Sequence, residues 1–334
     1  MKPLLGCSMG DPAGIGPQIL LRAAAELESA DCLFIGDPAV FSEHAECARL
    51  DPDDIRVVDG IDAALQARNA GDLGPWVVPC TTAAAGFQVG HPQRAQGRAA
   101  LDCIDHGEHL VRSGQVDALV TAPVNKDLIA TVEPRFRGHT EYLAERAGVD
   151  APIMLFAGPR PHIALLTTHL PTATAISLIR TDVVEAMLRR LHDRWASCFG
   201  QPPTIGVAAL NPHAGEQGRL GTEESRILYP AIAATCADGI DARGPYPADS
   251  IFLRAELDVV LALYHDQGTI LAKRAPWPTV NLTLGLPYIR TSPDHGTAYD
   301  LAASGKADHR PMLAAMELAA ELTGGGGRRR HPSA

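Results

Sequence analysis

The sequence predicts an α/β protein, and two observations carry that prediction. Short β-branched apolar runs alternate with amphipathic stretches of helical length almost throughout, with glycine and proline at the changeovers. The chain has 334 residues, 46% hydrophobic and 20% charged, which is ordinary globular composition and enough for two lobes of normal domain size.

Taken in order, the first strand is LLGCSM, Leu4 to Met9, with a helix near Gln18 to Leu27. CLFIG, Cys32 to Gly36, precedes a second helix, and IRVVD, Ile55 to Asp59, runs into a short third. A long helix is expected over Arg94 to Arg112, then a short buried strand, DALVTAP, that ends at Pro123. Further strands are PIMLFAG (Pro152 to Gly158), HIALLTT (His162 to Thr168), TIGVAAL (Thr204 to Leu210) and LDVVLALY (Leu257 to Tyr264). Further helices are Asp182 to Trp195, Glu223 to Ala237 and Arg310 to Thr323. There is no internal repeat and no long linker, so strands or short turns must join the lobes.

Composition excludes several function classes. The net charge of −10 and the 5% aromatic content argue against a nucleic-acid partner, a stacking platform or an anionic membrane surface. Seven cysteines with no CxxC pair read as reduced thiols of a cytoplasmic protein. No apolar run is long enough to span a bilayer, and the N-terminal run is too short for a signal peptide. The Gly- and Arg-rich end, 324–334, reads as a disordered tail.

The turn GDPAGIGP, Gly10 to Pro17, raises the question of a dinucleotide cradle. A Rossmann fingerprint needs G-x-G-x-x-G, and here Gly14 and Gly16 are followed by Pro17, Gln18 and Ile19. The third glycine is missing, so the turn is non-Rossmann. Pro17 suits the first turn of a helix, where its missing N–H costs nothing. The alternatives are a plain tight turn and a close approach of backbone to another group.

Three histidines stand apart from the other ten. His169, His213 and His265 each sit just past the carboxyl end of an expected strand, the edge where open α/β sheets bind ligands. Neutral imidazoles brought together there would make a divalent-metal site with open positions. Asp266 and Asp249 lie close by, as partners that orient an imidazole or as groups that contact a metal. In RGHTEYLAERAG, His139 and Thr140 precede a helix whose exposed N–H groups suit an anion. Lys273, Asn281 and Arg290 are a lysine, an amide and a guanidinium suited to a phosphorylated acid, and Lys126 in TAPVNK is a further candidate.

The strings MGDPAGIGP, GHTE, TTHLP, NPHAGE, YHDQG, NLTLGLPYIRTS and DHGTAYDLAASGKAD, running from Met9 to Asp308, resemble the 4-hydroxythreonine-4-phosphate dehydrogenase family, which is related to isocitrate and isopropylmalate dehydrogenases. The resemblance implies a two-lobed fold of that kind, with the active-site cleft between lobes of a homodimer. It places 1–130 plus 275–323 in lobe one, with the cofactor loop, and 131–274 in lobe two, with metal and dimer elements. His169, His213 and His265 match the metal ligands, which in the family come from both subunits. His139, Thr140, Lys273, Asn281 and Arg290 match substrate contacts. His295, Gly296, Thr297, Ala298 and Asp300 match the cofactor loop of the wider superfamily. Candidate bases are Asp266, Asp249 and Lys126.

The implied reaction oxidises the 3-hydroxyl of 4-phosphohydroxy-L-threonine with NAD or NADP and one divalent metal, zinc, magnesium or cobalt. The β-keto acid product would decarboxylate to 3-amino-2-oxopropyl phosphate, in pyridoxal phosphate biosynthesis. The alternative is the same chemistry on 4-phospho-D-threonate or 4-phospho-D-erythronate. RAPWPTV, Arg274 to Val280, departs from a glycine-rich stretch expected in the family and bears on which acid is read. A branch acting on an aromatic cis-dihydrodiol lacks GHTE, and this chain has it. A catalytically inactive family member would lack a ligand histidine, and all three are present.

Overall fold

The structure is a computed structural model, and it describes residues 1–72, 74–83, 86–274 and 278–324. The chain forms two compact units, 1–152 with 286–334 and 153–285. The first unit opens with β1 (Leu4–Ser8), α1 (Gly16–Glu26), β2 (Asp31–Gly36), α2 (Pro38–Ala48), β3 (Arg56–Val57), α3 (Gly60–Asn69) and β4 (Trp76–Pro79). It continues through α4 (Gln96–Arg112), β5 (Ala118–Thr121), α5 (Lys126–Ala130) and α6 (His139–Ala147). The second unit contains β6 (Ile153–Ala157), β7 (His162–Leu165), α7 (Thr172–Ser177), α8 (Thr181–Phe199), β8 (Ile205–Ala208), α9 (Tyr229–Ala237), β9 (Ala242–Tyr246), β10 (Val259–Ala262), α10 (His265–Arg274) and β11 (Val280–Leu284). The chain returns to the first unit with β12 (Ile289–Pro293), α11 (Tyr299–Ala302) and α12 (Arg310–Gly324).

In the first unit the strands run β3-β4-β2-β1-β5-β12, every pairing parallel. Helices cover such strands on both faces, so they read as unbroken apolar runs, and all five residues of β1 are buried. Asp37 caps α2 by accepting the Ala39 N–H at 2.9 Å, and its other oxygen takes the Ala83 N–H. Asn125 caps α5 by accepting the N–H groups of Asp127 and Leu128.

The second unit is mixed. Its strands run β11-β6-β7-β10-β8-β9, antiparallel at β11/β6 and β6/β7 and parallel from β7 onward. Phe156, Ile163, Leu165, Ala262 and Ala272 form one apolar cluster; Ala208, Ile251, Leu257 and Val260 form another. Helix α8 buries Val184, Met187, Leu188, Leu191 and Trp195, a helical spacing along one face.

The unit boundaries differ from those the sequence suggests. Residues 131–152 belong to the first unit because α6 is pinned to α4: Tyr142 donates to Asp105 at 2.6 Å, and Arg146 pairs with the buried Glu108 at 3.2 Å. Residues 275–285 belong to the second, where β11 pairs along its length with β6. The expected disordered tail lies outside the described residues apart from Gly324, which ends α12.

The turn GDPAGIGP is buried throughout. A Cβ on Gly14 would lie 3.0 Å from the Thr297 carbonyl oxygen, and one on Gly16 would lie 2.6 Å from the Met9 carbonyl oxygen. Glycine is required here because backbone packs on backbone, leaving no room for a Cβ. Ile15 donates its N–H to the Thr297 carbonyl at 2.9 Å, and Tyr299 donates to Asp11 at 2.6 Å. Burial pushes the Asp11 carboxyl above its usual range, against the hydrogen bonds it accepts from Tyr299, Ala13 and Gly14.

Candidate active site

The sheet order brings the three singled-out histidines to one edge. Strands β7, β10 and β8 are parallel neighbours, and each leads at its carboxyl end into one of them: His169 after β7, His265 after β10 and His213 after β8. Neighbouring strands lie ~4.8 Å apart, so three adjacent strand ends span a width that one small ligand can bridge. Two side chains tie these ends together. Thr167 Oγ1 donates to the Leu263 carbonyl at 2.9 Å, joining the ends of β7 and β10. Gln267 accepts the Leu263 N–H and donates to the Ala209 carbonyl, both at 2.7 Å, joining β10 to β8.

His169 and His265 meet, with ring centroids 5.7 Å apart. Both line a cavity of about 180 Å³ together with Thr168, Tyr264 and Asp266. His265 Nδ1 donates to Asp266 Oδ1 at 2.7 Å, which leaves Nε2 as the imidazole's lone-pair nitrogen. Two imidazoles facing one small cavity are chemically suited to a divalent cation but supply only two donors, with Asp266 bonded to one of them. Among the described residues no group of three or more His, Cys, Asp or Glu is close enough to hold a metal. His213 therefore does not complete the set within one chain. It sits, exposed, in a turn whose five residues from His213 to Gln217 all have φ between 42° and 74°. Four of them are not glycine, and each such residue costs about 1 kcal/mol in this conformation. A turn held against that cost needs anchoring.

The second group lies in the first unit. Arg290, on β12, is 3% exposed and donates to Thr121 Oγ1 at the end of β5, from Nε at 3.1 Å. Burial lowers its pKa to about 10, with Tyr288 and Glu141 acting in the opposite direction. His139 opens α6, its ring 6.2 Å from Phe136 and its Nε2 buried without a hydrogen-bond partner among the described residues. Burial, then the charges of Arg290 and Lys126, holds its pKa well below the usual histidine range, so it is neutral. A Cβ on Gly138 would lie 3.4 Å from Lys126 Nζ, which places the ammonium at the entrance to α6. Thr140 is buried beside them. A buried guanidinium, an ammonium and a helix N-terminus in one region suit a phosphate or carboxylate.

The loop expected to hold a cofactor packs against the opening turn. His295 Nε2 is buried without a hydrogen-bond partner among the described residues, Gly296 and Asp300 are exposed, Thr297 meets Gly14, and Ala298 has φ 41°. Asp249 is exposed and lines, with Asp266 and Gln267, a cavity of about 540 Å³. Lys273 is exposed in the last turn of α10, and Asn281 is half-buried on β11 opposite Phe156.

Comparison with known proteins then identifies the lineage. The profile of the family described as pyridoxal phosphate biosynthetic protein PdxA matches residues 28–319. The chain belongs to the PdxA family. It is 42% identical to the 4-hydroxythreonine-4-phosphate dehydrogenase of Chromobacterium violaceum, over 98% of this chain and 99% of that one. It is 40% identical to the protein of the same name from Geobacter metallireducens, over 96% of each. Among solved structures, the Klebsiella pneumoniae 4-hydroxythreonine-4-phosphate dehydrogenase superposes with a TM-score of 0.84 at 32% identity, covering 97% of this chain and 98% of that one. A terephthalate 1,2-cis-dihydrodiol dehydrogenase from Burkholderia xenovorans superposes less well, with a TM-score of 0.64 at 28% identity over 97% and 99%.

Within this PdxA-family chain, sequence reading singled out the histidines but missed what holds them. Thr167 stands two residues before His169 and Gln267 two residues after His265, a local signal that adjacent polar side chains at strand ends are worth testing. Glu224, which accepts from the backbone two residues before His213, and Thr121, which meets Arg290, carry no such signal. Their partners are 13 and 169 residues away.

Proposed function

We propose that this chain is a 4-hydroxythreonine-4-phosphate dehydrogenase: an oxidoreductase that converts the 3-hydroxyl of 4-phosphohydroxy-L-threonine to a ketone, in pyridoxal phosphate biosynthesis. The observation that carries the chemistry is the meeting of His169 and His265 over one cavity, past the ends of the neighbouring strands β7 and β10. The names of the relatives supply the substrate.

Arg290, Lys126 and the N-terminus of α6 bind the substrate's anionic groups, each charge-assisted hydrogen bond contributing roughly 1.5–3 kcal/mol. His139, neutral, offers its buried Nε2 to the substrate, with Thr140, Lys273 and Asn281 completing the contacts. His169, His213 and His265 hold a divalent cation (zinc, magnesium or cobalt), which when bound lowers the pKa of the substrate hydroxyl. Asp266 keeps His265 in the ligating tautomer; it, Asp249 or Lys126 takes the hydroxyl proton. His295 to Ala298 and Asp300 would hold NAD or NADP, which would supply the two-electron acceptor for the carbinol carbon. The β-keto acid so formed loses carbon dioxide as the C–C electron pair passes to the ketone, giving 3-amino-2-oxopropyl phosphate after proton uptake. Because one chain brings only two of the histidines together, a second copy completes the set. Exposed Leu170, Ile176 and Leu178 near His169 provide apolar surface for that contact.

A second reading is the same oxidation of 4-phospho-D-threonate or 4-phospho-D-erythronate, because RAPWPTV departs from the glycine-rich stretch expected in the family; residues 275–277 of that string lie outside the described residues. Steady-state kcat/KM on all three acids with NAD separates the readings. The account expects 4-phosphohydroxy-L-threonine to be preferred; a wide preference for a sugar acid would replace the first reading with the second.

A further inference from the structure

We infer that Glu224 is a positioning residue for His213: its buried carboxylate clamps the left-handed turn that presents that imidazole. The inference rests on the metal reading given above.

Glu224 opens a π-helical turn, Glu224–Leu228, that leads directly into α9, and it is 3% exposed. One carboxylate oxygen accepts the N–H groups of Leu210 at 3.0 Å and Asn211 at 2.7 Å. The other accepts from Asn211 Nδ2 at 2.9 Å. Every one of these donors belongs to the two residues that precede Pro212 and His213. The same second oxygen lies only 2.7 Å from where a Cβ on Gly215 would stand, so the carboxylate also touches the far side of the turn. Gly215 in turn accepts the Leu220 N–H at 3.0 Å, closing the loop on itself. The turn's backbone is unfavourable on its own, and the structure supplies a buried carboxylate in contact with both its ends, with Glu223 also accepting from Asn211 Nδ2 at 2.8 Å. Strain held in place by a dedicated partner is the pattern expected where a side chain must be aimed. π-helical turns, which disrupt regular helix hydrogen bonding, are themselves concentrated at functional sites. A carboxylate needed only to fold this unit could bond any loop; this one bonds the loop that carries the third histidine.

The test compares zinc affinity of the full-length apo-protein, by competition with a chromophoric chelator, for wild type, His213→Ala, Glu224→Gln and Gly215→Ala. Glu224→Gln keeps the shape but turns one acceptor toward Asn211 into a donor. Gly215→Ala disturbs the same contact from the opposite side without removing a buried charge. Thermal midpoints without metal show whether each variant is folded. The expected result is a 10–100-fold loss of zinc affinity in both Glu224→Gln and Gly215→Ala at near-wild-type apo midpoints, approaching that of His213→Ala. Wild-type affinity in either folded variant, beside a weakened His213→Ala, overturns the clamp and leaves the metal reading standing. Wild-type affinity in His213→Ala overturns both. If Glu224→Gln does not fold, Gly215→Ala decides alone on the same criterion.

Discussion

Arg290 in the first unit keeps 3% of its surface, while His169 in the second lies open to solvent. The candidate site histidines differ in the same way: the Nε2 of His139 is buried in the first unit, while in the second His169 and His213 are exposed and His265 is half-buried. On the proposed function, the first unit would bind an anion with a cation already desolvated by the fold, which costs stability before any substrate arrives. The second would bind a cation with exposed imidazoles that cost little when empty and gain their energy only from what they bind. A site whose charge is buried in the fold should respond to mutation through stability as well as function. A site made of exposed ligands should respond through function alone.

The largest expected effect falls in the second unit. His265→Ala should lower kcat by about a thousandfold or more, several kcal/mol of lost metal assistance, while leaving the thermal midpoint of the apo-protein nearly unchanged. Steady-state kinetics and a melting curve check both halves; a large drop in midpoint would make His265 a folding residue. Next is the buried His44, whose Nε2 donates to the Pro12 carbonyl at 2.8 Å. Burial lowers its pKa from 6.5 to about 4. The unfolded chain takes up this proton as pH falls through about 6.5, whereas the folded chain does so only near 4. Stability is thus fully present above pH ~6.5 and lost as pH falls toward 4, by roughly 3 kcal/mol from this residue. Denaturant melts of wild type and His44→Gln across that range should show a shallower loss in the variant, and parallel curves would refute the assignment.

Arg290→Met should cost about a hundredfold in kcat/KM for a phosphorylated acid, ~3 kcal/mol, yet leave stability equal or higher because a desolvated charge is gone. Unchanged kinetics with a lower melting point would reverse its role. The smallest effect is expected from Asp266→Asn, a 10–100-fold weakening of metal affinity through the His265 tautomer, readable by chelator competition. An unchanged affinity would show that Asp266 merely sits beside the histidine.

How much of this was legible in the sequence follows from interaction range. The parallel strands announce themselves because both faces are buried, so their residues are apolar without alternation, as in Leu4 to Cys7 and Val259 to Ala262. What is legible of the three histidines is their position, each within five residues of the end of such a run. By contrast β9, Ala242–Tyr246, carries arginine, glycine and proline and becomes a strand only by pairing with β8. The placement of α6 rests on Tyr142–Asp105 and Arg146–Glu108, contacts 37 and 38 residues apart that no local pattern encodes. The glycines of the opening turn were legible as tight backbone, but the neighbour of Gly14, Thr297, is nearly three hundred residues along the chain.

The central claim is that histidines from adjacent strand ends hold one divalent cation. Anomalous diffraction at the zinc edge, from crystals of the full chain grown with zinc, tests it most directly. The account predicts a single strong peak about 2.0–2.1 Å from nitrogens of both His169 and His265, with His213 as the third ligand. A zinc-loaded crystal with no density between His169 and His265, or with its peak elsewhere, would contradict it.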